Sequence, residues 1–381
     1  MRRTNRIYGI IVSLFFLIWI TIPFLNDIFI ISNEPQVSKT ENRNLASKPE
    51  FRIDHLDPFP GKYEKYFQDH FILRQKEVKL HSYLSFHFFN RSPLPDQVDI
   101  GKENWLFYAG DDRNIYQGKI MLPDDKINEI VNLLHKRTLY CRNKGIHFYV
   151  CFAPISQEIY PEYLPNNYFR SQHGTQTDKI ISAILKDTII QFIDLKSTLL
   201  EAKKFGCLYK KTDNHWNFRG GYFAYLKIIQ RIRKDFPILH PIPYSDVNFK
   251  PVIGQGGTLA STIGLNDVFM ETQLELTVRN SKARRLQKKG YPPPYWFAYK
   301  SEYEIETSVP DQKLPKIFVI RDSFFSFPMR FMQENFSKMT VIWDAWMYGA
   351  NKPLIEKEKP DIVLLMIYEP HIPKILVVPS D

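Results

Sequence analysis

Apolar positions along this chain follow two spacings, and the switch between them marks the elements. From Asp124 to Arg142 they recur every three or four residues, which predicts an amphipathic helix. From His147 to Phe152 they run almost unbroken, which predicts a strand buried on both faces. The alternation continues with helices over Thr177–Leu185, Phe218–Phe236 and Phe324–Asn335, and strands over Ile189–Ile193, Ile317–Ile320, Thr340–Trp343 and Ile362–Ile367. Apolar strands separated by helices predict an α/β fold with a mostly parallel sheet covered on both faces. Sites in such sheets lie at the carboxyl ends of the strands. The interval from about 240 to 315 breaks the rhythm; with predicted strands at Leu274–Val278 and Trp296–Tyr299, it reads as an insertion on the sheet. Upstream, Tyr63, Tyr66, Phe67, Phe71, Leu80, Tyr83 and Leu84 recur at helical spacing between Lys62 and Phe88, predicting one long helix or two short ones. Trp105–Tyr108 reads as a strand.

A third pattern stands at the N-terminus. Ile7–Leu25 carries no charge and is apolar all round, and at about 1.5 Å per helical residue it suffices to cross a bilayer core. It ends in Ile-Pro-Phe-Leu-Asn-Asp without the small residues of a cleavage site, so an uncleaved signal anchor is expected. Arg2, Arg3 and Arg6 precede it and Asp27 is the first acid after it, which predicts a cytoplasmic N-terminus and an extracytoplasmic remainder. The expected organisation is a cytoplasmic segment 1–6, a single-pass transmembrane anchor 7–31, a polar, proline-containing linker 32–60, and one domain over 61–381.

Composition narrows the function classes. A hydrophobic fraction of 44% excludes a disordered chain, and three cysteines exclude a disulfide scaffold or a Cys-rich zinc site. The net charge of +10 is inflated by the three N-terminal arginines, and no nucleic-acid-binding signature accompanies it. The 15% aromatic content suits an enzyme or a carbohydrate-handling surface. No metal-ligand set and no nucleotide-binding glycine loop occurs, so neither metal nor cofactor is expected.

Two clusters carry candidate chemistry. In Thr212-Asp213-Asn214-His215-Trp216-Asn217, an extended backbone would put Asp213 and His215 on one face, where the carboxylate can fix the imidazole tautomer. In isolation the same pair is equally a loop hydrogen bond or half a metal site. Asn217 suits the cap of the helix beginning at Phe218, and Gly220-Gly221 in its first turn, each costing about 1 kcal/mol relative to alanine, suggest close approach of a ligand or another backbone. The second cluster, Ile317 to Phe325, reads as a buried strand, a turn holding Arg321-Asp322-Ser323, and a helix start. A serine there meets unpaired N–H groups able to hold an oxyanion, although a serine in that place also serves simply as an N-cap. Together the clusters supply nucleophile, base and orienter.

With both clusters in view, the sequence resembles the alginate O-acetyltransferase family of SGNH-hydrolase-like proteins. The resemblance rests on Glu41-Asn42-Arg43-Asn44-Leu45, Tyr66 to Arg74, Gly101 to Phe107, Tyr160-Pro161-Glu162-Tyr163-Leu164-Pro165, Thr212-Asp213-Asn214-His215-Trp216 and Arg321-Asp322-Ser323-Phe324. It implies a three-layer SGNH-like domain with Ser323 as nucleophile, His215 as base and Asp213 as orienter. It also implies O-acetyl transfer to a cell-surface or secreted polysaccharide, with a polytopic membrane acyltransferase as partner supplying acetyl groups. Trp216, Arg321, Trp346 and Tyr348 are the expected substrate contacts. Gly257-Thr258-Leu259 and Ser156-Gln157 depart from the family's usual residues, and neither is expected to touch the triad. An extracytoplasmic acetylesterase with the same three residues, and a non-catalytic polysaccharide-binding or assembly protein, are the alternatives.

Overall fold

Strands that alternate their side chains between two packed layers organise the larger part of the protein, described by a computed structural model over residues 9–18, 21, 37–38, 43–70 and 74–377. In chain order the strands are β1 (Val37–Ser38), β2 (Arg43–Asn44), β3 (Val98–Ile100), β4 (Leu106–Tyr108), β5 (His147–Ala153), β6 (Gln191–Ile193), β7 (Val247–Gln255), β8 (Met270–Val278), β9 (Arg284–Arg285), β10 (Glu304–Ser308), β11 (Lys316–Arg321), β12 (Lys338–Trp343) and β13 (Ile362–Tyr368). Seven of them form one sheet in the order β6-β5-β13-β11-β12-β10-β9. The five from β6 to β12 are mutually parallel, whereas β10 pairs antiparallel with β12 and β9 antiparallel with β10. The expected mostly parallel sheet is therefore mixed, with an antiparallel edge.

The period of two in β13 shows why its sequence reads as one apolar run. Ile362, Leu364 and Met366 enter one core with the helices Leu195–Ala202 and Phe218–Ile232, while Val363, Leu365 and Ile367 enter another with Asp124–Asn143 and Gln176–Ile184. Both faces are covered, giving the three expected layers. Crossovers between parallel neighbours leave the carboxyl ends of β11, β12 and β13 together on one edge.

Several expectations change here. The interval 240–315 contributes a two-stranded hairpin, β7 with β8, and then the edge strands β9 and β10. No strand covers 296–299, where the preceding Pro292-Pro293-Pro294 removes three ladder donors and a turn closes from Phe297 N–H to the Pro294 carbonyl at 3.0 Å. The helix expected over Phe324–Asn335 is broken into a 3₁₀ turn, Ser323–Ser326, and a single α turn, Met329–Met332, with Pro328 between them.

The chain divides into two compact units, one of residues 95–259 with 267–381 and one of residues 1–94 with 260–266. The second contains the helices Pro58–His70 and Arg74–Phe89 and the β1–β2 pair. Residues 9–18 are helical, but no helix among the described residues is long and apolar enough to cross a membrane. Most of the remainder of Ile7–Leu25 lies outside them.

Candidate active site

Residues 208–217 fold into a tight hairpin rather than an extended segment. Asn217 N–H donates to the Leu208 carbonyl at 2.8 Å and Lys210 N–H to the His215 carbonyl at 3.1 Å, with a bridge between Tyr209 and Trp216. At its tip the backbone N–H of His215 donates to Asp213 Oδ1 at 3.0 Å, a side-chain-to-backbone turn two residues long. The same oxygen lies 2.7 Å from His215 Nδ1. A turn, not a shared strand face, thus brings the carboxylate to the imidazole.

Asp213 is buried, and burial alone would push its carboxyl up. The hydrogen bond and charge of His215 and the ammonium of Lys210, 3.5 Å from Oδ2, instead hold it well below the usual carboxylate range. An ionised carboxylate only accepts, so His215 Nδ1 carries the proton and Nε2 presents its lone pair. Ser323 Oγ lies 2.8 Å from that Nε2. The three residues form one hydrogen-bonded chain, with the imidazole against the rings of Phe324 and Phe327 at 4.7 and 6.1 Å.

Ser323 opens the 3₁₀ turn after β11, but it is not the cap. Asp322 is, with Oδ1 accepting from Phe324 N–H at 2.9 Å. Because Phe324 N–H is taken, the Ser323 N–H, which no hydrogen bond among the described residues uses, is the donor left beside Ser323 Oγ that could hold an oxyanion. With one turn of 3₁₀ helix behind it, the dipole of a long helix is not in play.

The 240–315 interval braces this arrangement. Thr258 donates to Asp213 Oδ2 through its backbone N–H at 3.2 Å and its hydroxyl at 3.0 Å, so the Gly257-Thr258 departure from the family pattern touches the triad directly, contrary to expectation. Gly257 is what allows the approach, since a Cβ there would stand 2.7 Å from Asp213 Cβ. Glu271 on β8 accepts from the Thr212 hydroxyl at 2.6 Å and from the Lys211 N–H. Gly221 serves the opposite wall: a Cβ there would lie 2.6 Å from Phe327 Cβ, so the helix capped by Asn217 packs against the backbone of Phe327 and Pro328. Among the described residues no group of three or more His, Cys, Asp or Glu could hold a metal ion.

Three of the expected substrate contacts are enclosed by the protein itself. Trp216, Arg321 and Tyr348 are fully buried at 0% exposure. Trp216 Nε1 donates to the Phe324 carbonyl at 2.9 Å and ties the 208–217 hairpin to the turn after β11. Arg321 lies 4.5 Å over the Trp343 ring and donates to the Glu302 carbonyl, and burial pulls its pKa down to about 10. Tyr348 donates to Asp322 Oδ2 at 2.8 Å. Trp346 alone keeps some accessible surface while its ring packs on Phe297 and Trp343. Residue type suggested these four, but packing decides what a ligand reaches. Thr258, Glu271 and Tyr348's link to Asp322 join segments 26 to 59 residues apart, and no local pattern announces them.

The chain is 24% identical over 177 residues to the "Probable alginate O-acetylase AlgJ" of Pseudomonas syringae pv. tomato, covering 46% of this chain and 43% of that protein. It is 23% identical over 215 residues to the protein of the same name from Pseudomonas aeruginosa, covering 55% and 51%. The chain thus spans about half the length of the curated relatives it matches. Among solved structures, Bacillus cereus PatB1 aligns over 71% of this chain and 95% of its own with a TM-score of 0.53 at 16% identity. A DHHW family protein from Eubacterium siraeum aligns over 72% and 94% with a TM-score of 0.50 at 14% identity. These two share the fold. Residues 98–291, half of the chain, match the family described as SGNH hydrolase-like domain, acetyltransferase AlgX, a stretch that holds Asp213 and His215 and ends before Ser323. The chain belongs to this SGNH hydrolase-like AlgX family.

Proposed function

We propose that this protein is a serine-dependent O-acetyltransferase that moves acetyl groups through an ester on Ser323 onto hydroxyls of a cell-surface or secreted polysaccharide. The observation that carries the reading is the unbroken hydrogen-bonded chain from Asp213 through His215 to Ser323 Oγ. As Oγ attacks the acetyl carbonyl carbon, His215 Nε2 takes its proton; the imidazolium is stabilised by Asp213, and the oxyanion is held by the Ser323 N–H. Collapse of the tetrahedral intermediate expels the donor alcohol, which leaves with the proton from Nε2. In the second half a sugar hydroxyl gives its proton to Nε2 and attacks the acetyl ester, and Ser323 leaves with that proton.

Membership of the acetyltransferase family and the similarity to two alginate O-acetylases support transfer over hydrolysis and a polysaccharide acceptor. The uncharged stretch Ile7–Leu25 behind three arginines supports an anchored protein whose catalytic part works outside the membrane. An enzyme so placed needs acetyl groups delivered across the bilayer, the task of a polytopic acyltransferase partner. The test is a chromogenic acetyl ester with and without an oligosaccharide acceptor. Ester cleavage lost in Ser323→Ala and His215→Ala, with acetyl gained by the acceptor, supports the reading; cleavage without acetylated acceptor makes the protein an esterase. A folded wild type no faster than Ser323→Ala leaves the non-catalytic reading.

A further inference from the structure

A second histidine stands on the same sheet edge as the nucleophile, and nothing in the triad uses it. His371 follows β13, its ring edge-on to Tyr368 at 5.4 Å; the Tyr368 ring stacks on Phe324 at 4.3 Å, and Phe324 adjoins Ser323. His371 Nδ1 lies 2.9 Å from Tyr348 Oη. The proton positions along this line follow from chemistry. Asp322 Oδ2 accepts from Tyr368 N–H at 2.6 Å and from Tyr348 at 2.8 Å, and a carboxylate held by N–H and O–H donors has no proton to give. Tyr348 has one hydroxyl proton and spends it on Asp322, so His371 must donate Nδ1–H to Oη. Nε2 is left with its lone pair, on the far side of the ring from the buried relay.

The protein maintains this tautomer against local strain. Ala345, Trp346 and Tyr348 all take left-handed backbone angles, with φ of 46°, 62° and 53°. They are held there by Asp344, which accepts from Gly349 N–H at 2.7 Å, and by Arg137, which donates to the Tyr348 carbonyl at 2.6 Å. Burial and the nearby Lys374 ammonium push the His371 pKa down to about 3, so the ring is neutral at working pH. The side chain is only partly covered and Nε2 makes no hydrogen bond among the described residues.

We propose that His371 positions the acceptor sugar: its Nε2 accepts a hydrogen bond from a hydroxyl next to the one that attacks the acetyl-Ser323 ester, with Tyr348 and Asp322 orienting the ring. This rests on the acyl-enzyme reading and names what that site must recognise, a polyhydroxylated acceptor with neighbouring hydroxyls. It also separates transfer from hydrolysis, since water needs no such anchor.

The full-length chain is tested with a chromogenic acetyl ester as donor and an alginate-derived oligosaccharide as acceptor, reading the initial burst and the ratio of acetylated acceptor to free acetate. One lost hydrogen bond predicts that His371→Ala lowers the ratio about tenfold more than it lowers the burst, with a raised acceptor KM. The amide variants divide the two ring nitrogens. His371→Gln places an oxygen near the Nε2 position and restores the ratio; His371→Asn supplies the donor to Tyr348 alone and does not. An unchanged ratio in His371→Ala overturns the inference, as does equal recovery by Asn and Gln, which would make His371 a support for Tyr348 only. A wild type that acetylates Ser323 but yields free acetate alone also overturns it. A burst that survives Ser323→Ala is a different failure, removing the acyl-enzyme reading itself.

Discussion

Two aspartates flank Ser323, and their surroundings drive them in opposite directions. Asp213 sits among charged or chargeable partners, His215 and Lys210, and is held far below the ordinary range despite its burial. Asp322 is equally buried but receives its hydrogen bonds from a tyrosine and two backbone amides; its carboxyl is pushed up by burial, which those donors only partly offset. The first carboxylate can stabilise an imidazolium formed during turnover. The second makes no hydrogen bond to His215, whose charge offsets its burial less than the three donors do, and it fixes the turn that presents Ser323. Residue type and proximity do not distinguish them; the charge of the partners does.

The difference also sets opposite pH signs. A carboxyl lowered in the folded state adds stability that is present above its unfolded pKa and lost as pH falls through the folded value, so Asp213 favours folding at neutral pH. A carboxyl raised in the folded state stabilises least once it must ionise, so Asp322 subtracts stability as pH rises from 3.8 through its raised value.

The largest expected effect lies on the Asp213 side. Asp213→Asn keeps the shape but removes the charge that fixes the tautomer, and ester turnover should fall about 10⁴-fold by steady-state kinetics. If it falls only a fewfold, Asp213 is no orienter and the contrast with Asp322 collapses. A third buried carboxyl sharpens the comparison. Glu369 accepts from Ile155 N–H at 3.0 Å, and burial, with the charge of Glu158 nearby, raises it from 4.5 to about 7. Its raised value removes stability as pH climbs through that window, so Glu369→Gln should gain up to roughly 3 kcal/mol over wild type between pH 5 and pH 8 in denaturant unfolding. A gain independent of pH would show the carboxyl to be ionised throughout.

Tyr348→Phe should act mainly on the fold, costing about 1–3 kcal/mol because buried Asp322 loses a donor. Equal loss in Asp213→Asn and Tyr348→Phe of both stability and turnover would erase the division of labour. The smallest effect is expected from Thr258→Val, which removes the hydroxyl donor to Asp213 but keeps the backbone N–H. Turnover should drop about tenfold or less, in line with one hydrogen bond of about 1 kcal/mol.

Much of the parallel sheet was legible because its strands are buried on both faces and therefore read as apolar runs. The antiparallel edge was not. Glu304-Ile305-Glu306-Thr307-Ser308 looks polar, yet Glu304 is buried by accepting the N–H groups of Lys289, Gly290 and Tyr291. Glu306 is buried beside Lys338 at 3.3 Å, and Lys289 pairs with Glu358. At the site, Ser323 could be read from residue type and its place just after β11, and Asp213 and His215 from residue type and spacing, although they lie on a hairpin some distance from any sheet strand and a turn rather than strand alternation joins them. The relay Asp322–Tyr348–His371 could not, because it depends on a left-handed loop and on contacts between the ends of three strands.

The central claim is an acetyl ester on Ser323, and the direct measurement is peptide mass spectrometry of the full-length protein quenched within the burst after mixing with a chromogenic acetyl ester. The account predicts one acetyl group on the peptide containing Ser323, absent from Ser323→Ala and strongly reduced in His215→Ala. Turnover without acetyl on that peptide, or with acetyl carried at another residue, would contradict it.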